Sequence, residues 1–217
     1  MRSVSAYVEN GVSLAHESGS AAWVFDPDLW GVCGQGTDEG AALRDLARML
    51  GHRVEITVVE RLWGDGQVFE RDRLPCTEEE RRLTLDILAG TRAQTVALLV
   101  SCTPEELDSV DHNRALPSFA SWRTLREMGW HVTDTECRYY LPAAGLPSRP
   151  PEPDLLTELR VGAVHVRDQV GRMPPGVVVE QDGDVWTTVK LLRRLAWHER
   201  AELAVMRTML GRLRAGG

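Results

Sequence analysis

The fold of this chain is decided by a segment near its end, residues 186–202, which reads WTTVKLLRRLAWHERAE. The segment predicts an α-helix, and at 3.6 residues per turn His198 and Glu202 lie on one face. Apolar residues share that face: Leu191, Leu195, Val205 and Met209. A polar pair in an apolar stripe loses stability unless it finds partners. One partner is a divalent metal ion, because imidazole and carboxylate both ligate borderline cations. The alternative is a hydrogen-bonded pair at the rim of a helical bundle.

Length and charge restrict the class of protein. The chain has 217 residues, enough for one large or two small domains. Its net charge of -7 argues against nucleic acid as a partner. Its apolar runs are shorter than the roughly 20 residues of a membrane helix, and no export signal is visible. The cysteines are scattered without a C-x-x-C pair, which favours free thiols in the cytoplasm: Cys33, Cys76, Cys102 and Cys137.

Period-two alternation of apolar residues dominates before residue 75 and predicts β-strands. The alternating runs are 4–8, 12–14, 22–24 and 54–58, and Asn10–Gly11 predicts a two-residue hairpin turn. One helix interrupts the strands, with Thr37 as its N-cap and Gly51 at its end. The order β-β-β-α-β predicts a small α+β domain at residues 1–73. Gly64–Asp65–Gly66 is interpreted as its last hairpin turn.

After residue 75 the apolar period changes to 3.6 residues, which predicts helices. Thr77 and Glu80 have the spacing of a capping box that opens a helix through about Val100. A short helical turn begins at Pro104. Further elements are expected in this order: a helix over 121–140 stopped by Pro142, a helix over 154–170, a strand over 177–180 with a turn at Asp182–Gly183, and a helix over 187–213. Four helices with an apolar stripe each predict an all-α up-down four-helix bundle at residues 77–215.

Two of these stretches together resemble the DinB-like superfamily of metal-binding helical bundles. Residues 123–136, RTLREMGWHVTDTE, resemble its second helix. Residues 186–202 resemble its fourth helix, whose usual run is W-T-x-x-K-x-L-R-R-x-x-W-H-E-R-x-H. The resemblance covers about residues 77–213. It implies a divalent metal, zinc or nickel, on one histidine of the second helix and two of the fourth.

Carried over position by position, the resemblance makes His131 and His198 metal ligands and gives the third position to Glu202, where the family has histidine. Two histidines and a glutamate with an open fourth position form a common catalytic zinc site. A member that has lost its metal would show the same substitution. His131 is also interpretable as a core histidine, and Asp134 either orients an imidazole or faces solvent.

A second, weaker resemblance covers about the first 60 residues. Residues 30–43, WGVCGQGTDEGAAL, resemble the HicB-like antitoxin fold. The alternative interpretation is that Gly34 and Gly36 only turn the chain into the helix. No phosphate-binding glycine motif is present.

The resemblances imply functions of different classes. The first is a metal-dependent transferase or hydrolase that uses a low-molecular-weight thiol or water. The alternative is a non-catalytic binding or regulatory protein whose metal site has degenerated, since fold does not fix function. An antitoxin ranks last because it rests on the N-terminal resemblance alone. The expected partners are a small molecule and a second copy of the chain, with no nucleic acid and no membrane.

Overall fold

An N-terminal sheet region precedes a mostly helical C-terminal part in the computed structural model, which describes residues 2–51, 54–64, 66–112, 114 and 116–216. The sheet has the order β3-β2-β1-β4, with β4 parallel to β1 and the other pairs antiparallel. Its elements are β1 (Arg2–Val12), β2 (Gly19–Trp23), β3 (Cys33–Gly36), α1 (Glu39–Leu50) and β4 (Val54–Trp63). Helix α1 packs on β2 and β3. The order of elements is β-β-β-α-β as predicted, but the strands differ: the runs 4–8 and 12–14 do not form two strands, and β3 lies outside the predicted runs.

The predicted hairpin turn at Asn10–Gly11 is wrong. Strand β1 continues through both residues to Val12, with a bulge at which Gly11 takes a φ of 68°. Asn10 pairs with Ser20 of β2 on one side and with Trp63 of β4 on the other. Pairing on both sides keeps the strand extended, so the local turn signal becomes a bulge. Of the second predicted turn, Gly64–Asp65–Gly66, the central residue lies outside the described residues.

Gly34 and Gly36 lie within β3, so the interpretation that they only turn the chain is wrong. Helix α1 comes so close to this strand that a Cβ on either glycine would clash with the backbone of Ala42. The glycines are therefore needed for strand and helix to pack.

The predicted cap of α1 is one residue off at its start. Asp38, not Thr37, is the N-cap, and its carboxylate accepts a hydrogen bond from the Ala41 amide at 2.7 Å. Gly51 ends the helix with a φ of 82°, as predicted.

Among its described residues, the C-terminal part contains helices and one β-hairpin. Its helices are α2 (Glu78–Val100), α3 (Pro104–Asp108), α4 (Leu125–Asp134), α5 (Leu141–Ala143), α6 (Leu155–Arg172) and α7 (Thr188–Gly216). A π-helical segment, Thr135–Tyr140, joins α4 to α5. The hairpin is β5 (Val178–Gln181) and β6 (Asp184–Thr187), and its turn lies at Asp182–Gly183 as predicted.

The second long helix differs from the prediction at both ends. It begins after the N-cap Thr124 rather than near Ser121. Pro142 does not stop the helix but lies in the first turn of the short segment α5, where the missing amide proton of proline is tolerated. Gly145, with a φ of 76°, follows the helical segment.

Helix α2 passes a length and composition test for a membrane-spanning helix, with a mean hydropathy of 1.3. One such helix is weak evidence, because core helices of soluble proteins pass the same test. Its capping box is present as predicted, with Thr77 and Glu80 exchanging two hydrogen bonds. Arg92, in the middle of α2, is buried against carboxylates of two other helical segments. These contacts make α2 part of the helical core.

The long helices enclose two clusters of buried apolar side chains, one around Val166 and Leu191 and the other around Leu159 and Met206. Helix α2 packs against α6 and α7, and α4 packs against the same two helices. Cys33, Cys76 and Cys137 are buried, Cys102 is half-buried, and all four cysteines are free, as expected.

A buried charge cluster connects the sheet region to α7. Arg193 donates to Glu9 of β1 at 2.8 Å and to both carboxylate oxygens of Asp72, which lies in a short 3₁₀ helix, Glu70–Arg73. Arg194 donates to the other oxygen of Glu9 at 2.8 Å. Trp23 of β2 also donates to Glu9. Two adjacent arginines of α7 thus reach the same carboxylate.

A second buried carboxylate, Glu158 of α6, holds the segment after α5 in place. It accepts hydrogen bonds from Arg138 at 3.0 Å, from Arg149 at 2.6 Å and from the Glu152 amide at 2.7 Å. Burial opposes its ionisation, but these donors outweigh burial and hold the pKa of Glu158 below its ordinary 4.5. The ionised form therefore stabilises the fold.

We expect Glu158→Gln to lower the free energy of unfolding at pH 7 by about 1–3 kcal/mol, because two half-buried arginines lose their buried carboxylate. A depressed folded-state pKa stabilises the protein above pH 4.5, and this stabilisation is lost as the pH falls through the folded-state pKa. The gap to wild type should thus stay constant from pH 8 to pH 5 and close in acid. Urea denaturation across this range measures it, with the half-exposed Glu152→Gln as control. A gap that persists unchanged in acid would contradict the assignment.

Candidate metal centre

The structure brings the three predicted ligand residues together. His198 and Glu202 lie one turn apart on α7, and His131 faces them from α4. The Nε2 atoms of the two histidines are 3.3 Å apart. Oε1 of Glu202 lies 3.7 Å from each of these nitrogens. The three side chains could therefore hold a metal ion between one nitrogen of each imidazole and one carboxylate oxygen.

The spacing of these atoms fits a small divalent cation. A tetrahedral ion with ligand distances of about 2.0–2.1 Å separates its ligand atoms by about 3.3–3.4 Å. The observed separations of 3.3 and 3.7 Å are close to that value. Oε2 of Glu202 is buried and has no hydrogen-bond partner among the described residues. Such a buried orphan oxygen costs stability unless something binds beside it, so the donor set fits a metal ion.

The other ring nitrogen of each histidine faces a polar group. Nδ1 of His131 lies 3.2 Å from Oγ1 of Thr135, on the next turn. Nδ1 of His198 lies 3.8 Å from Oε1 of Glu136, and neither atom has a hydrogen-bond partner among the described residues. Carboxylates and hydroxyls behind metal-bound imidazoles fix the ring orientation and direct Nε2 at the ion. Both histidines thus present Nε2 to the same point.

Behind His198, a buried arginine joins two carboxylates. Arg92 of α2 donates to Glu199 at 2.8 Å and to Glu136 at 2.5 Å. Burial and the neighbouring charge of Glu136 raise the pKa of Glu199 to about 8, against the opposing effect of Arg92. Burial also disfavours the ionised form of Glu136, but Arg92 and His198 lower its pKa. The cluster keeps Glu136 anionic behind His198.

The two histidines have opposite pKa shifts. Burial lowers the pKa of His131. Burial acts the same way on His198, but the nearby carboxylates, with Glu136 first, outweigh it and raise the pKa of His198. Burial opposes ionisation of Glu202, yet the facing histidines lower the pKa of this carboxyl group. Glu202 is therefore ready to ligate as an anion.

Trp122 covers His131 from the loop that precedes α4. The two rings are stacked, with centroids 3.6 Å apart and an angle of 12° between their planes. This contact fixes the plane of the imidazole and shields one side of it from water. The sequence carried no signal for it, because the contact depends on how an irregular loop folds back on the helix.

The candidate metal centre lies in the wall of a cavity of about 440 Å³ between the helices and the sheet region. The cavity is lined by residues of the β1–β2 loop, the loop before α4, the π-helical segment, β6 and α7, among them Leu14, Phe119, Tyr140, Trp186, Lys190, Arg194 and Trp197. This volume is in the range of small-molecule sites. An ion held by the three ligands would have access to a ligand in the cavity.

Asp134 and several other polar or aromatic side chains of the helical part lie outside the group of three candidate ligands. Asp134 pairs with Arg138 and its side chain is largely exposed, so it does not orient an imidazole. Trp186 and Trp197 line the cavity. Trp130 packs beside the apolar core, and His165 contacts the Pro147 carbonyl. Cys137 is buried, and burial raises its thiol pKa to about 12, which argues against a nucleophile.

The chain matches no family model, no curated protein and no solved structure in the comparisons made with each. The function is therefore inferred from the geometry of the site.

We expect Thr135→Val to weaken metal binding about tenfold without abolishing it, because the hydroxyl that faces Nδ1 of His131 is lost. Competition with a chromogenic zinc chelator measures the affinity. The control is Thr133→Val on the same stretch of helix, whose hydroxyl contacts the Trp130 carbonyl instead. Equal affinities for the two variants would show that Thr135 does not position His131.

Proposed function

We propose that this chain is a DinB-like protein whose His131, His198 and Glu202 hold one divalent metal ion, zinc or nickel. The observation that carries the proposal is the convergence of Nε2, Nε2 and Oε1 within 3.3–3.7 Å at the wall of a cavity. Two further features support it: polar groups behind both imidazoles and an orphan oxygen on Glu202. A set of three protein ligands leaves a coordination position for a substrate.

The DinB-like interpretation also concerns the fold. We infer that α2, the stretch from α4 to α5, α6 and α7 are the helices of an up-down four-helix bundle at residues 77–215, after an α+β domain at residues 1–73. The packing of α2 and α4 against both α6 and α7 supports this inference. A HicB-like N-terminal domain, a homodimer and a cytoplasmic location remain part of the same proposal.

The proposed chemistry is metal-dependent transfer or hydrolysis with a low-molecular-weight thiol or water as the second reactant. An ion at this position supplies a Lewis acid that polarises a carbonyl group or lowers the pKa of a thiol or water. The chain's own residues bind and orient: Trp122 shields His131, and the aromatic walls of the cavity exclude water from the bound ligand. Glu136 stabilises the imidazole of His198 from behind.

The second candidate function is a non-catalytic binding or regulatory protein whose metal site has degenerated. The observation that favours it is the 3.3 Å separation of the two Nε2 atoms, which also allows a hydrogen bond between the rings. The cavity would then serve ligand binding alone.

Metal analysis separates the two candidates. We expect the untagged protein to contain about one equivalent of zinc or nickel by elemental mass spectrometry, as purified or after reconstitution and desalting. Thiol-transfer and hydrolysis assays then follow on the loaded protein. Absence of metal under both conditions would reject the metal-dependent function in favour of the binding protein.

A further inference from the structure

A row of charged side chains lies along the cavity face of α7. Lys190, Arg194, His198 and Glu202 follow at intervals of four residues and all line the same cavity. Each interval advances about 6 Å along the helix axis. The two cations thus lie toward the start of the helix, and the candidate metal ligands lie one turn further along.

Arg194 has unused hydrogen-bonding capacity although it is only 3% exposed. Its Nη2 donates to Glu9 at 2.8 Å, and this is its one hydrogen bond within the described part of the chain. Its Nε is buried without a partner among the same residues. A guanidinium group has five N–H donors, and buried donors without acceptors cost stability. Arg194 is therefore a buried cation with donors left for another acceptor.

The carboxylate that faces Arg194 is shared among several donors. Glu9 also accepts hydrogen bonds from Arg193 at 2.8 Å and from the indole of Trp23 at 2.9 Å. Arg193 has Asp72 as a second counter-ion, whereas Arg194 has no second ion pair within 4.0 Å among the described residues. The positive charge of Arg194 is thus only partly compensated, beside a cavity that an anion could enter.

The remaining cavity wall is largely aromatic. Its rings come from the loop before α4, from the π-helical segment, from β6 and from α7: Phe119, Trp122, Tyr140, Trp186 and Trp197. Such rings bury flat apolar groups and stack on them. A small, strongly hydrated inorganic anion would leave these walls without contacts, whereas an organic anion would cover them.

We propose that this cavity binds a small organic anion with an aromatic or apolar body, whose anionic group is held by Arg194. The body of the ligand lies against the aromatic wall, and its far end reaches the His131, His198 and Glu202 group. This inference rests on the proposed function only for the end of the ligand that contacts the metal ion. Recognition of the anionic group by Arg194 does not require the ion.

The test compares 3-phenylpropanoate with 3-phenylpropanamide, which have the same shape and differ in charge. Isothermal titration calorimetry is carried out on the full-length protein, both metal-free after EDTA treatment and zinc-loaded. We expect the carboxylate to bind at least about tenfold more tightly than the amide in both forms, as a charge-assisted hydrogen bond would give. We expect Arg194→Gln to reduce this preference to about twofold or less.

Arg194→Lys is a second variant for the case that Arg194→Gln does not fold. It keeps a positive charge near Glu9 but lacks the planar donor group. It should retain part of the carboxylate preference. The matched control is Arg207→Gln, an exposed arginine of α7 that pairs with Gln94 and lies outside the cavity, and it should bind like wild type.

Each other outcome has a distinct meaning. A preference seen only in the zinc-loaded protein and unchanged in Arg194→Gln would mean that the ion holds the carboxylate, which overturns the inference. Equal binding of acid and amide, or binding of neither, would also overturn it. A preference that depends on Arg194 in a protein that takes up no zinc would leave the anion site standing while rejecting the proposed metal function.

Discussion

The His198→Ala variant is expected to retain no metal, while the wild-type protein retains about one equivalent. His198 is 2% exposed and supplies the central Nε2, which faces both His131 and Glu202. Its removal leaves only two ligands, from two different helices, and opens a gap between them. Elemental mass spectrometry after reconstitution with zinc and desalting measures the difference.

Two variants of Glu202 refine this result. Glu202→Ala should weaken zinc binding by about a hundredfold or more, since the loss of a ligand exceeds the loss of an outer partner. Glu202→His should tighten it, because imidazole is a good neutral ligand for zinc and nickel and creates the H-x-x-x-H spacing on α7. The opposite directions at one position distinguish a ligand from a residue needed only for packing.

The control is His165→Ala. This histidine lies on another helix, α6, and its ring contacts the Pro147 carbonyl. Its metal content should equal that of wild type. Equal metal content in His198→Ala, Glu202→Ala and the control would remove this site from consideration. Circular dichroism of each variant shows whether a loss of metal reflects a loss of fold.

How far the sequence predicts this structure depends on how local each signal is. The helix boundaries of α2 and α6 follow from caps that act within one turn: Thr77 with Glu80, and Asp154 with the amides after it. The turn at Asp182–Gly183 is equally local, since both residues take positive φ. Asn10–Gly11 carries a similar signal, yet the strand continues because two neighbouring strands pair with it. Sheet pairing is decided by distant residues, so the local pattern fails there.

The same distinction applies to the candidate metal centre. His198 and Glu202 could be paired from helical periodicity, and His131 came from the resemblance of its helix to a family. The groups around them come from other elements, such as Trp122 from the irregular loop before α4 and Arg92 from α2. Their positions depend on tertiary packing, which no spacing in the sequence reveals. A signal was nevertheless present in Lys190 and Arg194, which precede His198 at intervals of four residues.

The largest expected loss of stability comes from Arg193→Met. Arg193 is 1% exposed and connects β1, the 3₁₀ helix and α7 through Glu9 and Asp72. Its guanidinium also lies 4.5 Å from the ring centroid of Trp23. Methionine keeps part of the apolar stem but leaves buried Asp72 without the Arg193 guanidinium and Glu9 with Arg194 as its remaining ion-pair partner among the described residues. We expect the free energy of unfolding to fall by about 3–5 kcal/mol, measured by urea denaturation of the metal-free protein.

The matched control is Arg2→Met, which breaks an ion pair between β1 and Asp26 whose side chains are 46% and 37% exposed. An exposed pair contributes about 0–1 kcal/mol, so this variant should be nearly as stable as wild type. Adding Asp72→Asn to Arg193→Met should recover part of the loss, because the cost arises largely from the unpaired buried charge of Asp72, whereas Glu9 keeps its ion pair with Arg194. If Arg193→Met lost no more stability than Arg2→Met, the charge cluster would not hold the sheet region to α7. Other contacts would then have to hold the β1–β2 loop in its position at the cavity wall.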